Sequence, residues 1–175
     1  MGETSAYGPR DERGVDVIEN AGSAGGRMGR IEHIFVASER GAPCEAMESV
    51  EAIAETGLKG DRYSYAKNRK DPGQQLTLIE IEQIEKFVEE TGLPMDPSAP
   101  RRNLVTRGID LNALVGKRFQ IGECELEGIE LCEPCARWAR NTHNEVVRFF
   151  VHRGGLNARI VTSGIISIGS PVIVR

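Results

Sequence analysis

The sequence predicts a mostly β (α+β) protein, a closed or nearly closed β-barrel of about seven strands with two or three peripheral helices. Short β-branched runs lie at both ends of the domain, and helices do not alternate regularly with them, which disfavours a doubly wound sheet. The chain has 20 glycines but only one tryptophan, three tyrosines and five phenylalanines, a composition typical of many tight turns. Closing the sheet into a barrel would leave no exposed strand edge.

A single domain is expected over residues 31–175, preceded by a tail over residues 1–29. The tail is rich in glycine, serine, arginine and acidic residues and shows no apolar period. Such a segment cannot bury enough apolar surface to offset the entropy of ordering it, so we predict that it is disordered. The remaining length is sufficient for a sizeable core without disulfides or structural metals.

Three strands are predicted in the first half of the domain. The first begins at Ile31, where apolar residues start a strand-like run. The second covers residues 50–54, where small apolar residues alternate with polar ones before the chain breaks at Gly57 and Gly60. The third is the segment QLTLIE at residues 75–80.

The most regular helical pattern follows the third strand. Ile81, Ile84 and Val88 recur at i, i+3 and i+7, the spacing of one helix face. Gly92 stands where a C-terminal cap is expected, and Pro94 cannot continue the helix. We therefore predict a helix that ends just before Gly92.

The second half is predicted to contain a hairpin, a capped helix and a final hairpin. The first hairpin turns near residues 121–123. Thr142 and Glu145 have the spacing of a capping box and precede a run with apolar residues on one helical face. The last two β-branched runs flank Gly164 and are predicted to pair with each other.

Charge and composition exclude several classes of function. Lysine and arginine total 22 against 26 aspartate and glutamate residues, a net charge of −4, whereas nucleic-acid binding needs a basic face. No stretch approaches the ~20 consecutive apolar residues of a transmembrane helix. The first residues are acidic where a signal peptide needs an apolar region, so a cytoplasmic location without membrane association is expected.

The densest chemical feature is a C-x-x-C pair, Cys132 and Cys135. In a reducing compartment such a pair is half of a zinc site, a redox dithiol, a sulfur carrier with a neighbouring thiol, or two small buried residues. Arg137 and Arg140 follow closely, and their positive charge would favour the thiolate of Cys135. On this basis we predict Cys135 to be the reactive thiol and Cys132 to be a resolving thiol or a packed neighbour.

A zinc site would need further ligands, and the pattern does not favour one. Cys124 and His143 are available, but strong zinc signatures pair two closely spaced knuckles and this chain has one. The three histidines form no H-x-H or H-E-x-x-H pattern. We therefore predict no metal held directly by protein ligands.

Two further segments have the residue types of an anion site. Arg101 and Arg102 supply bidentate donors for an oxyanion, and Asn103 offers a donor and an acceptor to the edge of a heterocycle. The alternative for this segment is a solvated charged loop. Gly60 lies in the segment GLKGDR, whose two glycines three residues apart would allow a ligand to approach the backbone closely.

Taken together, these segments resemble the MOSC domain family, named after the C-terminal domain of molybdenum-cofactor sulfurases, and its short stand-alone bacterial members above all. The similarity runs from Ile31 to Arg175. Its motifs occur in family order, and they read GLKGDRY, QLTLIE, RRNLVTRGIDLNALVGKRFQIG, LCEPC and GLNARIVTSGIISIGSPV.

The resemblance implies a mostly β barrel that binds the molybdenum cofactor, or its molybdopterin part, and carries sulfur on a cysteine as a persulfide. The family cysteine corresponds to Cys135. The family's Arg-Asn pair corresponds to Arg102 and Asn103, and its Gly-Asp pair to Gly60 and Asp61. With their basic neighbours these residues form the expected cofactor site, to which we add Arg101, Arg62 and Arg137.

Two features depart from the family pattern. Some relatives have a histidine-containing segment after Gly-Asp, where this chain has Arg62, Tyr63, Ser64 and Tyr65. Cys132 adds a second thiol, so the match alone leaves open which sulfur is the carrier. Pyridoxal phosphate, which the fused sulfurases bind in a separate domain, is associated with the family but is not expected on this chain.

Three functions remain open at this stage. The chain is a sulfur carrier or sulfurtransferase that acts with the molybdenum cofactor, a non-catalytic module that stores or delivers it, or a thiol redox or detoxification protein on the same barrel. The first two imply a pterin-type small molecule as ligand. They also imply a molybdoenzyme or a cysteine desulfurase as partner.

Overall fold

The computed structural model describes residues 28–65, 73 and 75–174. The predicted tail lies outside these residues except for Met28 and Gly29, which begin the first strand three residues before the expected start at Ile31. The described chain forms eleven strands and three α-helices. The strands are β1 Met28–Val36, β2 Glu45–Met47, β3 Ser49–Ile53, β4 Gly57–Leu58, β5 Leu76–Glu80, β6 Leu104–Arg107, β7 Arg118–Ile121, β8 Cys124–Leu131, β9 Leu156–Ile160, β10 Gly164–Ser167 and β11 Pro171–Val174, and the helices are α1 Ile81–Thr91, α2 Ala136–Asn141 and α3 Glu145–Phe149.

Seven strands close into a barrel. Their order is β11-β7-β8-β9-β5-β6-β1, and β1 pairs again with β11, with Met28 opposite Ile173. Every neighbouring pair is antiparallel except β5 and β6, and α1 provides the crossover that a parallel pair needs. The predicted barrel of about seven strands is therefore confirmed, with one βαβ unit inside it.

The final hairpin predicted around Gly164 is wrong. Both edges of β9 are already occupied, one by β8 and the other by β5, so β10 has no free edge of β9 to join. Instead β10 pairs with β3 in a separate three-stranded sheet that also contains β4. The hairpin predicted at residues 121–123 is confirmed, since Ile121 lies opposite Cys124 across β7 and β8.

The helix predicted after β5 is confirmed as α1. Gly92 caps it in the left-handed conformation, with φ 69°, and donates its N–H to the carbonyl of Val88. The buried face differs by one position from the expected one, because Phe87 is buried beside Ile81 and Ile84, whereas Val88 is 37% exposed.

The capping box predicted at Thr142 is wrong. The N-cap residue of α3 is Asn144, and the Thr142 hydroxyl instead donates to the carbonyl of Trp138 near the end of α2. This local bond competes with the capping geometry, as threonine hydroxyls commonly do. The sequence pattern did not predict α2, which is only six residues long.

Two apolar clusters hold the domain together. The larger fills the barrel, and leucines such as Leu76, Leu104 and Leu156 are fully buried in it. The smaller lies between the barrel and the helices and includes Trp138 and Phe150, whose ring centroids are 4.4 Å apart. Because Trp138 lies on α2, this aromatic cluster fixes α2, and with it the adjacent C-x-x-C loop, against the barrel.

Candidate functional site

An open cleft of about 880 Å³ lies where residues of β5, β8 and β9 meet α2. Its volume is in the range of small-molecule sites. Glu130 is the one acidic residue among the described residues that line it. Six arginines line the same cleft, namely Arg40, Arg62, Arg101, Arg102, Arg137 and Arg140. The cleft is therefore strongly positive in a chain whose net charge is −4.

These arginines differ from those on the barrel strands in having no acidic partner within the part of the chain that the structure describes. Arg107 and Arg159, for example, pair with glutamates at 2.9 Å and 2.6 Å. Among the described residues, no carboxylate lies within 4.0 Å of any of the six cleft arginines. Unpaired guanidinium groups around one concave surface favour an anionic ligand that provides the missing negative charge.

Both thiols of the C-x-x-C pair line the cleft, in different environments. Cys135 is exposed and is the residue immediately before α2. Cys132, three residues earlier in the chain, is partly buried. Burial raises the pKa of the Cys132 thiol, and the positive charge of Arg102 offsets only part of this effect. The structure thus distinguishes an accessible sulfur, Cys135, from a more protected one.

The loop that carries the thiols is fixed by Arg102. This side chain is buried, and it donates from Nε to the carbonyl of Gly154 at 2.9 Å and from Nη2 to the carbonyls of Cys132 at 3.0 Å and Glu133 at 3.3 Å. A fourth bond runs from Nη1 to the carbonyl of Pro100 at 3.1 Å. Arg102 therefore joins three separate segments of the chain, and most of its donors are satisfied by the protein itself.

The turn that contains Gly154 and Gly155 faces the thiol loop and allows the two backbones to lie close together. The N–H of Cys132 donates to the carbonyl of Gly155 at 2.8 Å. A Cβ on Gly154 would overlap the carbonyl oxygen of Cys132, so glycine is required there for the approach. The carboxylate of Glu133 accepts the backbone N–H of His152 at 2.9 Å and lies 2.8 Å from its Nδ1, which holds this acid against the turn.

The two motifs Gly-Asp and Arg-Asn meet in one buried network. Asp61 Oδ2 accepts the N–H of Ala37 and the Nδ2–H of Asn103, at 3.0 Å and 3.1 Å, and Oδ1 accepts the N–H of Tyr63. The Asn103 amide oxygen accepts both the N–H and the hydroxyl of Thr77. These side chains form a scaffold beside the cleft, since their polar atoms are occupied within the protein.

Replacing Asp61 by asparagine is expected to destabilise the protein by about 1–3 kcal/mol, because the new NH₂ group would face N–H donors and leave buried groups unpaired. Urea unfolding measures the change. Asp96→Asn is the matched control, since this residue is exposed and its carboxylate bonds to the nearby Ser98. Equal stability of the two variants would contradict the scaffold role of Asp61.

Arg101 also lines the cleft, and one of its donors is buried without a partner among the described residues. Its backbone is in the left-handed region with φ 58°, which a non-glycine residue rarely adopts and which often marks a functional site. Its Nη2 is buried without a hydrogen-bond partner, and the same holds for the indole Nε1 of Trp138, another residue of the cleft wall. Buried donors without partners cost stability unless a ligand accepts from them.

Six of the nine residues predicted for the site line the cleft, and three do not. Gly60, Asp61 and Asn103 lie outside the lining, in or next to the scaffold. The predicted residues that line it are Cys132, Cys135, Arg62, Arg101, Arg102 and Arg137.

Sequence reasoning missed several polar residues of the cleft. Thr77 and Asn157 lie opposite each other on the neighbouring strands β5 and β9. Their signal is a polar residue flanked on both sides by apolar residues within a strand. Arg40 comes from the loop after β1, and no local pattern marked it.

Metal-ligand clusters and membrane-spanning helices are both absent from the described ranges. No group of three or more histidine, cysteine, aspartate or glutamate side chains there is placed to hold a metal ion. None of the helices described has the length and apolar character needed to cross a membrane.

The fold and the cleft define a class: a mixed barrel that presents an accessible cysteine beside a cluster of arginines with no carboxylate partner among the described residues. The chain belongs to the MOSC domain family, whose model matches residues 65–173. This family is commonly associated with binding of the molybdenum cofactor.

Solved structures share the fold at low sequence identity. The YuaD protein from Bacillus subtilis superposes with a TM-score of 0.74 at 16% identity, over 86% of this chain and 97% of its own. YiiM from Geobacillus stearothermophilus superposes with a TM-score of 0.67 at 14% identity, over 84% of this chain and 75% of its own. YiiM from Escherichia coli superposes with a TM-score of 0.61 at 17% identity, over 83% of this chain and 69% of its own. A search of curated proteins gave no significant match.

Proposed function

We propose that this protein binds the molybdenum cofactor in the arginine-lined cleft and carries sulfur as a persulfide on Cys135. The observation that supports both parts is that an exposed thiol and six arginines without acidic partners among the described residues line the same cleft. The cofactor, when bound, supplies the metal centre that accepts the sulfur.

The residues present fit a phosphorylated pterin. Arg101 offers a buried Nη2 without a partner, and Arg137 and Arg62 add positive charge at the cleft wall. Asn157 provides an amide group for the edge of a heterocycle, whereas the Thr77 hydroxyl is bonded to Asn103. Arg102 contributes charge and orders the thiol loop, but most of its hydrogen bonds go to carbonyls of the protein. We therefore assign direct phosphate contact to Arg101 rather than to Arg102.

The sulfur step needs only a persulfide donor. The Cys135 thiolate attacks the terminal sulfur of the donor persulfide, so that a new S–S bond forms on Cys135. The donor's own S–S bond breaks, and the donor leaves as a thiolate. The thiolate is the nucleophilic form of the cysteine. A cysteine desulfurase loaded from free cysteine is a donor of the required chemistry.

Cys132 serves as the resolving thiol. Attack of its thiolate on Cys135 Sγ forms a Cys132–Cys135 disulfide and releases the terminal sulfur as hydrosulfide. The two cysteines are oxidised by two electrons, and the transferred sulfur is reduced by the same number. An external dithiol then reduces the disulfide and returns the protein to its starting state.

The sulfur test uses the purified protein and a persulfide-loaded cysteine desulfurase. After removal of the donor, treatment with cyanide releases bound sulfane sulfur as thiocyanate. We expect one equivalent per chain from Cys132→Ser, less from the wild type because Cys132 releases part of the sulfur as hydrosulfide, and none from Cys135→Ser. An undiminished yield from Cys135→Ser would overturn the carrier role.

The ligand test uses pterin fluorescence after acid denaturation of the protein purified from cells that make the cofactor. Pterin without labile sulfur would leave a storage or delivery module as the function. Sulfur loading without pterin would overturn the cofactor part and favour a thiol redox or detoxification protein.

A further inference from the structure

A second, smaller pocket opens beside the main cleft. Its volume is about 320 Å³, and it is lined by Gly41, Arg101, Arg137, Arg140 and Asn141. Three of these residues, the arginines, also line the main cleft, so the two cavities share one wall. No described acidic residue lines the smaller pocket. We call it the side pocket.

The side pocket is built from one helix face and one strained residue. Arg137, Arg140 and Asn141 are three and four residues apart on α2, the spacing that places side chains on the same face. Arg101 approaches from the loop before β6, and its positive φ directs it there at a conformational cost. Gly41, with φ 98°, leaves the opposite side open, because no heavy atom lies within 4 Å of the position that a Cβ would take there.

The positive charge of the side pocket is not balanced by any acidic residue among those described. None of its three arginines has a carboxylate within 4.0 Å among the described residues, and the Nη2 of Arg101 is buried without an acceptor. Such guanidinium groups line both cavities, and they favour a second anionic group in the side pocket, separate from the one in the main cleft.

We infer that the side pocket is a second oxyanion subsite, and that the ligand carries two phosphoryl groups rather than one. One group lies in the main cleft near Cys135, and the other occupies the side pocket, with Arg101 between them. The identity of the ligand rests on the proposed function. The ligand class is then a pterin phosphate extended through a diphosphate linkage, as in a nucleotide conjugate. The volume of the side pocket leaves room for part of such an extension.

The test uses inorganic probes, so it does not depend on pterin or sulfur chemistry. Orthophosphate, pyrophosphate and tripolyphosphate are titrated into the protein by calorimetry at constant ionic strength. We expect tripolyphosphate to bind the wild type at least tenfold more tightly than orthophosphate, because only the longer probe reaches both cavities. Equal affinities along the series would overturn the subsite.

A pair of matched variants isolates the side pocket from general electrostatics. Asn141→Asp places a negative charge in the side pocket, at an exposed residue that does not line the main cleft. Asn144→Asp makes the same change in charge at an exposed position that lines neither cavity. We expect Asn141→Asp to weaken tripolyphosphate binding five- to tenfold with orthophosphate changed less than twofold, and Asn144→Asp to change both less than twofold.

Arg140→Ala serves as a second variant. It should reduce the gain in affinity between orthophosphate and tripolyphosphate. If Asn141→Asp and Asn144→Asp weaken tripolyphosphate equally, long-range charge explains the binding and the inference is wrong. A tripolyphosphate gain in a protein that never carries pterin would retain the subsite and reject the proposed cofactor. Pterin and sulfur loading without that gain would retain the proposed function and reject the subsite.

Discussion

Replacing Arg102 by alanine should lower the free energy of unfolding by about 3–5 kcal/mol, the range of substitutions that break a buried hydrogen-bond network. The guanidinium bonds to four carbonyls, and three of them belong to the thiol loop and its facing turn. Without it, these oxygens lose their charged donor and the loop loses its main link to the segment before β6. Urea unfolding measures the effect.

Two further variants define the role of Arg102. Arg102→Lys should lose about 2–3 kcal/mol, because an ammonium group keeps the charge but cannot reproduce the planar fork that joins three segments. Arg148→Ala, at an exposed position on α3, removes the same charge and should change stability by less than about 0.5 kcal/mol. If Arg102→Ala matched Arg148→Ala, Arg102 would not organise the loop.

Alkylation by iodoacetamide at neutral pH should modify Cys135 roughly tenfold faster than any of the other cysteines. Cys135 is the exposed thiol, whereas burial raises the pKa of Cys44, Cys124 and Cys132. A raised pKa means that less thiolate is present at a given pH, and the thiolate is the form that reacts. Mass spectrometry of digested samples assigns the modified residue at each time point.

The pH dependence has a definite sign. The rate at Cys132 should continue to increase at pH values above those at which an ordinary cysteine has reached its plateau, since its pKa is raised. The fast reaction should disappear in Cys135→Ser and persist in Cys132→Ser. A fast reaction that disappears instead in Cys132→Ser would reverse the two roles and contradict the proposed carrier.

Much of the fold follows from local patterns. The apolar alternation of β3 and β8 and the period of α1 are visible in the sequence, because each of these strands buries one face in the barrel core and α1 buries one face in the smaller apolar cluster. The partner of each strand, by contrast, cannot be recognised from the residues around it. The runs on either side of Gly164 read as a hairpin, and only the occupied edges of β9 exclude it.

The site was predicted as a set of residue types but not as a set of roles. Arg101 and Arg102 are adjacent, and nothing in the sequence distinguishes them. The positive φ of Arg101 directs the two side chains differently, so that one lies against the loop carbonyls and the other keeps a donor without a partner. Asn103 looked suited to a heterocycle, and its partner Asp61, 42 residues earlier, occupies it instead.

The pairing of β1 with β11 joins the first and last strands of the barrel. Such a closure is a contact between residues far apart in sequence, so it forms late and slows folding. Until β11 is made, the edges of β1 and β7 stay open to pairing with other chains. During synthesis on the ribosome, the growing chain exposes these strand edges until the last strand emerges.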